Sequence, residues 1–251
     1  MAPNAGVVLV AAGAGTRLGS PEPKALVMLG GRSLVTHAVS RLRATGLVRT
    51  IVVTAPRGYG EQVRRAALAA FADHDASPGG QAGADRVEVD VVEGTYPSRQ
   101  ASVAAGLERL GAGHEVILVH DAARPLAPSS MITRVVRAVQ GGHDAVVPGL
   151  AVTDTIRMVD EQDTARARGV VERGRLRAMQ TPQGFRAEVL RRAHASGAAR
   201  GRHEYSAATD DAALVEALAL EVHVVAGERA AMKITDPHDL AVAQMYLNEG
   251  W

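Results

Sequence analysis

Gly6-Val-Val-Leu-Val-Ala-Ala-Gly-Ala-Gly-Thr-Arg-Leu-Gly19 joins an apolar run directly to a glycine-rich turn near the start of the chain. The run is apolar throughout, as expected for a parallel strand that is covered on both faces. Glycines that follow such a strand let the backbone approach a ligand and point its N–H groups at phosphate oxygens. The stretch therefore predicts an α/β fold with a phosphate-binding turn at the carboxyl end of its first strand.

The glycine-rich turn fits neither of two familiar phosphate-binding motifs. A dinucleotide fingerprint requires Gly or Ala at the position of Leu18, and a P-loop requires a Gly-Lys-Ser/Thr run that the sequence lacks. In their place stand Arg17 and, after two prolines, Lys24. Lys24 and Lys233 are the two lysines among 28 basic residues, which indicates positions where a compact ammonium charge matters more than a planar guanidinium.

Short apolar runs alternate with segments of helical spacing along the rest of the chain. The predicted strands are Gly6–Ala11, Thr50–Thr54, Val87–Glu93, Val116–His120, Ala145–Val147 and Val222–Val225. The predicted helices are Ser33–Gly46, Glu61–Ala72, Ser98–Leu110, Ser129–Gln140, Thr209–Leu220 and Asp236–Leu247, with N-caps at Ser129, Thr209 and Asp236 and with Pro237 in a first helical position. This order predicts a mostly parallel sheet with helices on both faces.

Two segments interrupt that order. Asp75–Asp85 contains Ser-Pro-Gly-Gly and is predicted to be a flexible surface loop. Thr153–Arg177 is charged and poor in large apolar residues, with strand-like pieces near Thr155–Val159 and Gly169–Glu172. It is either a polar hairpin arm that cannot bury itself alone or a solvated loop.

Bulk properties narrow the class of protein and of partner. The 251 residues are 47% hydrophobic, which fits one globular domain with a substantial core. A net charge of +1 without long runs of one sign argues against nucleic acid or a membrane surface as the partner. The absence of cysteine excludes disulfides, thiolate metal sites and a cysteine nucleophile. No segment approaches the roughly 18–20 apolar residues of a membrane helix, so the sequence predicts a cytoplasmic protein.

An acidic residue follows the strand predicted over Val116–His120. Asp121 at the carboxyl end of a buried strand is well placed to hold Mg²⁺ beside triphosphate oxygens, although it could also cap a helix in a tight turn. Arg124, three residues later, could pair with phosphate or fix Asp121 through a salt bridge. His120 is expected to be packed or to support its neighbours rather than to bind a metal.

Together these residues indicate phosphoryl-type chemistry driven by charge and positioning. Cations would neutralise the charge that grows on the α-phosphate and on departing pyrophosphate, and a metal would bridge oxygens. A phosphate monoester acceptor has a second pKa of about 6 and is mostly ionised at neutral pH, so it needs no general base. This agrees with the lack of any convincing Ser–His–Asp set. The prediction is a metal-dependent nucleotidyl transfer to a small phosphorylated acceptor.

Six motifs recur in order over nearly the whole chain, from about Val7 to Leu247. They are Ala11-Ala-Gly-x-Gly-x-Arg17 with Lys24, Val119-His-Asp-Ala-Ala-Arg-Pro125, Thr153-Asp-Thr155, Thr181-Pro-Gln183, Thr209-Asp-Asp211 and Met232-Lys-Ile-Thr-Asp-Pro237. With these motifs the chain resembles the 2-C-methyl-D-erythritol 4-phosphate cytidylyltransferases, CTP-dependent enzymes of the non-mevalonate isoprenoid pathway. The resemblance implies a Rossmann-like nucleotidyltransferase fold over residues 1–251, with residues 153–177 as a protruding β-arm that forms a homodimer.

The resemblance also implies roles for individual residues. Arg17 and Lys24 would stabilise the pentacoordinate α-phosphate, and Asp121 would bind Mg²⁺. Arg173 and Lys233 would place the acceptor phosphate, with Thr155 and Arg173 serving the partner subunit's site. The further substrate-binding residues would be Arg124, Thr209 and Asp210, and the nucleotide-binding residues would be Ala11, Ala12, Gly13, Ala14, Gly15, Arg99, Ser102 and Ala122.

Several alternatives stay open at this point. Arg173 belongs to a basic run that could be a solvated face, while Thr155 and Thr209 could serve strand propensity and capping. The family usually carries paired glycines before an Arg-x-x-Ser, whereas this stretch reads Gly94-Thr-Tyr-Pro-Ser-Arg-Gln-Ala-Ser102, and Tyr96 and Pro97 could narrow the approach to the base. The acceptor could be another polyol phosphate, such as ribitol 5-phosphate. The chain could also be a binding module that holds nucleotide without turnover.

Overall fold

A computed structural model describes residues 4–13, 15–72, 87–94, 96–160 and 166–250. The loop predicted over Asp75–Asp85 and the predicted nucleotide-binding residue Ala14 lie outside the described residues. The strands are β1 (Ala5–Val10), β2 (Met28–Leu29), β3 (Arg32–Ser33), β4 (Val48–Pro56), β5 (Glu88–Gly94), β6 (Val116–Asp121), β7 (Ala145–Ala151), β8 (Arg157–Val159), β9 (Ala167–Val170), β10 (Arg177–Met179), β11 (Gln183–Arg186) and β12 (Val222–Ala226). The α-helices are α1 (Leu34–Arg43), α2 (Gly60–Leu68), α3 (Arg99–Leu110), α4 (Ser129–Gln140), α5 (Ala187–Ser196), α6 (Asp211–Glu216) and α7 (Pro237–Asn248).

Eight strands form one mixed sheet in which β1 is central. β1 pairs in parallel with β4 and β6, β4 pairs in parallel with β5, and β12 pairs in parallel with β7. The exceptions are β10 and β11, which run antiparallel to β7, with β11 also antiparallel to β6. The predicted mostly parallel sheet is confirmed, and its two antiparallel strands were missing from the sequence prediction.

Helices cover both faces of the sheet, as the apolar strands require. Along β1, Val7 and Leu9 pack on the face covered by α1, α2 and α4, whereas Val8 packs on the face covered by α3, α5 and α6. All three side chains are fully buried. Burying a Val or Leu side chain contributes roughly 1.5–3 kcal/mol, so this alternation fixes the register of the central strand.

Two of the three predicted N-caps differ from the observed ones by one residue. Asp236 caps α7 with a complete capping box and Pro237 is the first helical residue, as predicted. The N-cap of α4 is Pro128 instead of Ser129, and the N-cap of α6 is Asp210 instead of Thr209. Asp210 takes this place because its carboxylate accepts the N–H of Ala213 at 2.9 Å, whereas Thr209 lies one residue too early. Helix α5 was not predicted.

Residues 153–177 contain a short antiparallel pair, β8 with β9, which forms its own two-stranded sheet apart from the main one. Its side chains are largely exposed, including Met158 at 58% and Val170 at 60%. Strand β10 then returns the chain to the main sheet. The segment is therefore a hairpin, one of the two forms that the sequence left open. Among the described helices, none combines the length and the apolar character that crossing a bilayer requires.

Candidate active site

A cavity of about 420 Å³ lies at the carboxyl ends of β1 and β6, where the last residues of both strands form part of its wall. This is where ligands of open α/β sheets bind. Ten predicted site residues line it: Ala11, Ala12, Gly13, Arg17, Lys24, Arg99, Ser102, Asp121, Ala122 and Lys233. Residues more than 200 positions apart in the chain thus meet at one place.

The glycine-rich turn folds back on Lys24. Gly15 has a left-handed backbone with φ of 68°, and the N–H of Lys24 donates to the carbonyl of Gly13 at 3.4 Å. A Cβ on residue 15 would come within 2.9 Å of the Lys24 Cβ. Gly15 therefore lies just outside the cavity and acts through the fold of the turn. Any larger residue would displace the lysine as well as strain the backbone.

Three of the basic residues on the cavity wall, Arg17, Lys24 and Lys233, lie close enough to influence one another. Burial lowers the pKa of Lys24, and the charges of Lys233 and Arg17 lower it further. The nearby Asp121 carboxylate opposes that shift. Cations held this close repel one another and gain free energy when an anion enters between them. The cluster is therefore suited to a polyphosphate.

Asp121 is the acidic centre of the cavity. Its side chain is 9% exposed, and its two oxygens accept from Arg99 Nε at 3.2 Å and from Lys233 Nζ at 2.9 Å. Burial alone would raise the pKa of Asp121, but the positive charges of Arg99 and Lys233 outweigh burial and hold the pKa well below its ordinary value. The carboxylate is therefore ionised at neutral pH.

Arg99 is anchored between two buried carboxylates. Besides Asp121, Arg99 binds Asp211 Oδ2 through Nη1 at 2.7 Å. The other oxygen of that carboxylate, Asp211 Oδ1, accepts a hydrogen bond from His194 Nε2 at 2.9 Å. Burial alone would lower the pKa of Arg99, but the charges of Asp211 and Asp121 raise it. The guanidinium thus holds Asp121 through Nε and Asp211 through Nη1, and the assignment of Arg99 to nucleotide binding stays a prediction.

Thr181 positions Asp121 from the other side. Its Oγ1 accepts the backbone N–H of Asp121 at 3.0 Å and lies 2.9 Å from His120 Nδ1. The Thr181–Pro182 peptide bond is cis. His120 is fully buried, and burial lowers its pKa to about 4. His120 is therefore neutral at physiological pH and packs beneath the site, as the sequence predicts.

A polar wall forms where α3 begins. Ser98 caps the helix by accepting the N–H of Ala101 at 3.1 Å, and Ser102 donates to the carbonyl of Arg99 at 2.8 Å. Tyr96 also lines the cavity, and its hydroxyl donates to the carbonyl of Val92 at 3.1 Å. Tyr96 is thus part of the cavity wall.

Other predicted site residues lie off this cavity. Arg124 forms no salt bridge with Asp121; its guanidinium donates to the carbonyls of Ala231 at 2.8 Å and Met179 at 3.3 Å. Asp210 is occupied by capping α6 and by Gln183 Nε2 at 2.8 Å. Thr155, Arg173 and Thr209 are exposed, and the Arg173 guanidinium donates to the Thr153 carbonyl.

Sequence reasoning missed three functional neighbours of the cavity: Asp211, His194 and Glu204. Asp211 stood beside Asp210 in a motif already singled out, but its burial depends on helix α6. His194 belongs to the unpredicted helix α5. Glu204 lines the cavity from a turn for which the sequence offered no signal.

The residues present fit a magnesium ion that is shared with substrate phosphates. Mg²⁺ is usually held by one or two carboxylates while phosphates and waters complete its shell. Asp121 is such a carboxylate, ionised and facing the cations of the cavity. The described residues contain no cluster of three or more His, Asp or Glu side chains that would form a dedicated metal cage.

Comparison with known proteins identifies the family. A family model described as 2-C-methyl-D-erythritol 4-phosphate cytidylyltransferase matches residues 5–249. Proteins of that name from Rhodococcus jostii (strain RHA1) and Saccharopolyspora erythraea are 45% and 42% identical, covering 96% and 94% of this chain and 93% and 96% of their own lengths. The crystal structure of the enzyme of that name from Thermus thermophilus is 34% identical and superposes with a TM-score of 0.71, covering 99% of this chain and 100% of that one. With this match over almost its full length, the chain belongs to the 2-C-methyl-D-erythritol 4-phosphate cytidylyltransferase family.

Proposed function

We propose that the cavity at the ends of β1 and β6 is where the cytidylyl group is transferred. The chain is a nucleotidyltransferase that forms 4-diphosphocytidyl-2-C-methyl-D-erythritol and pyrophosphate from CTP and 2-C-methyl-D-erythritol 4-phosphate. An oxygen of the acceptor phosphate bonds to the α-phosphorus, and the bond from that phosphorus to the bridging oxygen breaks. Pyrophosphate leaves with the electron pair, and the ionised acceptor needs no base.

The observation that carries this proposal is the grouping of Arg17, Lys24 and Lys233 near the Asp121 carboxylate in a single cavity. In the proposed complex, Arg17 and Lys24 contact the α-phosphate and the departing pyrophosphate. Lys24 is positioned before substrate arrives by the turn at Gly15. Preorganised charge of this kind stabilises a transition state without a cost of reorganisation when the reaction occurs.

Asp121 is the proposed ligand for Mg²⁺. When bound, the ion would neutralise phosphate charge and orient the triphosphate. Lys233 Nζ lies 2.9 Å from the same carboxylate. We therefore propose that Lys233 turns from Asp121 to the acceptor phosphate on binding, which its 45% exposed side chain allows.

The nucleoside is proposed to lie against the backbone of Ala11, Ala12 and Gly13 and against Ser102 on α3. Ala14 and Ala122 are proposed as further nucleotide contacts, and Gly15 is proposed to act by shaping the turn. Arg99 is proposed to act here mainly through Asp121, because its Nε binds Asp121 and its Nη1 binds Asp211.

We propose a homodimer in which the hairpin β8–β9 extends to the partner's cavity. Two observations support it. The hairpin exposes Met158 and Val170, which an interface would bury, and Thr155 and Arg173 lie on this segment away from the cavity of their own chain. Thr209 is proposed to help place the acceptor. The cytoplasmic location inferred from the sequence remains part of the proposal.

Subunit exchange tests the shared site. Arg173→Ala and Lys24→Ala proteins, each weakly active alone, should regain part of the wild-type activity when mixed, because one site in each mixed dimer carries both residues. Exchange is followed separately with differently tagged subunits. Exchanged but inactive mixtures would contradict the sharing of sites.

The function is tested by pyrophosphate release from purified protein with Mg²⁺ and CTP. We expect release with 2-C-methyl-D-erythritol 4-phosphate and little with ribitol 5-phosphate. Release only with ribitol 5-phosphate would keep the reaction type but overturn the acceptor. CTP binding without release from either acceptor would favour a non-catalytic nucleotide-binding protein.

A further inference from the structure

Glu204 is an acidic wall residue in a cavity that is otherwise suited to phosphates. Glu204 is an exposed residue, and it lines the cavity together with Tyr96, Ser98 and Ser102. Asp121, the other carboxylate on the wall, is paired with Arg99 and Lys233, but Glu204 has no hydrogen bond or ion pair within the described residues. An acceptor without a partner on the wall of a substrate cavity is available to a ligand.

The turn that carries Glu204 is closed by its own backbone. The N–H groups of Ser206 and Ala207 donate to the carbonyl of His203 at 3.2 and 3.0 Å. The hydroxyl of Ser206 also donates to the carbonyl of Arg200 at 2.8 Å, and the His203 and Tyr205 rings stack with centroids 5.3 Å apart. Glu204 therefore projects from a defined turn instead of an open loop.

Two buried side chains at the start of α3, the N-cap Ser98 and the helical residue Gln100, hold the segment around this turn in place. Gln100, 3% exposed, donates to the carbonyl of Gly197 at 2.9 Å and accepts the N–H of Ala208 at 3.0 Å. Ser98, 5% exposed, donates to the carbonyl of Gly201 at 2.7 Å. The segment is thus fixed to the start of α3, the same wall to which the nucleoside is assigned.

The negative charge of Glu204 determines which part of CTP it can contact. A carboxylate repels phosphates, and the phosphate end of the cavity is marked by Arg17, Lys24 and Lys233. The nucleobase is neutral. Cytosine presents an exocyclic amino group, which donates, whereas uracil presents a carbonyl oxygen at the same position, which accepts.

We propose that Glu204 accepts a hydrogen bond from the 4-amino group of cytosine and so selects CTP against UTP. The inference rests on the proposed placement of CTP in this cavity. The carboxylate gains a charge-assisted hydrogen bond from cytosine. It meets uracil with acceptor facing acceptor, so selectivity comes from repulsion as well as attraction.

The test compares wild type with Glu204→Gln and Glu204→Ala, using CTP, UTP and 2′-deoxy-CTP at saturating acceptor. A hydrogen bond to a charged group contributes about 1.5–3 kcal/mol, so removing it should change the selectivity by roughly tenfold or more. Glu204→Gln should lower the CTP:UTP ratio of kcat/KM by at least about tenfold, because its amide can accept from cytosine and donate to uracil. Glu204→Ala should reduce kcat/KM for CTP about tenfold.

The matched control is Glu216→Gln, which removes the same charge from an exposed position on α6. It should leave the CTP:UTP ratio unchanged. An equal fall for CTP and UTP in the Glu204 variants would overturn the proposal. If the ratio of kcat/KM for CTP to that for 2′-deoxy-CTP changed while the CTP:UTP ratio did not, Glu204 would contact the ribose instead of the base. That result would overturn the proposal as well.

Equilibrium binding separates this inference from the proposed function. The dissociation constants of CTP and UTP are measured by calorimetry for the same proteins. If wild type binds CTP selectively and Glu204→Gln loses that selectivity, the inference holds even when no pyrophosphate is released. Unchanged relative affinities in Glu204→Gln would refute it, whatever the turnover.

Discussion

Asp211→Asn tests the buried charge network that supports the active site. Asp211 is 1% exposed and binds Arg99 at 2.7 Å and His194 at 2.9 Å. Asparagine has nearly the same shape but no charge, so the change leaves Arg99 balanced by Asp121 alone. Breaking a buried ion pair by neutralising one partner costs about 3–5 kcal/mol. Because Arg99 keeps Asp121 and asparagine keeps hydrogen bonds, we expect a loss near the low end, about 3 kcal/mol.

The loss should also depend on pH. Burial alone would raise the pKa of Asp211, but the charge of Arg99 and the hydrogen bond from His194 hold it below its ordinary value of about 3.9. A carboxyl whose pKa is lowered by folding stabilises the protein above its unfolded pKa, and the stabilisation is lost as pH falls through the folded pKa. Wild type should therefore lose stability below about pH 4 more steeply than Asp211→Asn.

Urea denaturation at pH 7 and under acid conditions measures both effects. The matched control is Asp90→Asn, which removes a carboxylate paired with the surface residue Arg109 and should change stability little. A loss below about 1 kcal/mol for Asp211→Asn, with an unchanged pH profile, would refute a stabilising role for this pair.

Three further substitutions test the catalytic assignments. Lys24→Ala should lower kcat by about a hundredfold or more, as expected for the loss of a transition-state charge; near-normal single-turnover rates would contradict its role. Gly15→Ala should lower kcat while all charges stay in place, because a Cβ there comes 2.9 Å from the Lys24 Cβ. Unchanged kinetics would show that the turn accommodates the added Cβ without displacing Lys24, which would contradict the positioning role of Gly15. Asp121→Asn should weaken the dependence of activity on Mg²⁺ concentration or abolish activity, and a Mg²⁺ titration that matches wild type would exclude it as the ligand.

The parts of the fold that sequence predicts well are those fixed by local pattern. The uninterrupted apolar runs of β1 and β6 require burial on both faces, and Asp236-Pro237 is a helix start under almost any packing. The antiparallel strand β11 could not be recognised in this way. It carries Gln183 and Gly184 in a short run, and its place beside β6 is set by long-range pairing.

The residues of the candidate site likewise fall into those placed by local pattern and those placed by long-range packing. Arg17, Lys24 and Asp121 follow strands or a glycine-rich turn, so their position at the carboxyl edge of the sheet follows from topology. Arg99, which the resemblance assigns to nucleotide binding, lines the cavity, but the position of its partner Asp211 depends on where α6 begins. A shift of one residue separates the two roles, because Asp210 caps the helix whereas Asp211 begins it and is buried.

The buried network also explains how Asp121 can serve a cation. A buried guanidinium needs a counter-ion to offset its desolvation, and Asp211 binds Arg99 at the shorter distance, 2.7 Å against 3.2 Å for Asp121. Asp121 is therefore only partly committed to Arg99, and its second contact, Lys233, is half exposed and can leave. Without Asp211, Arg99 would rely on Asp121 alone, and a metal would have to displace a buried guanidinium from its last counter-ion. Asp211 touches no proposed substrate, yet its charge keeps the carboxylate of Asp121 available to one.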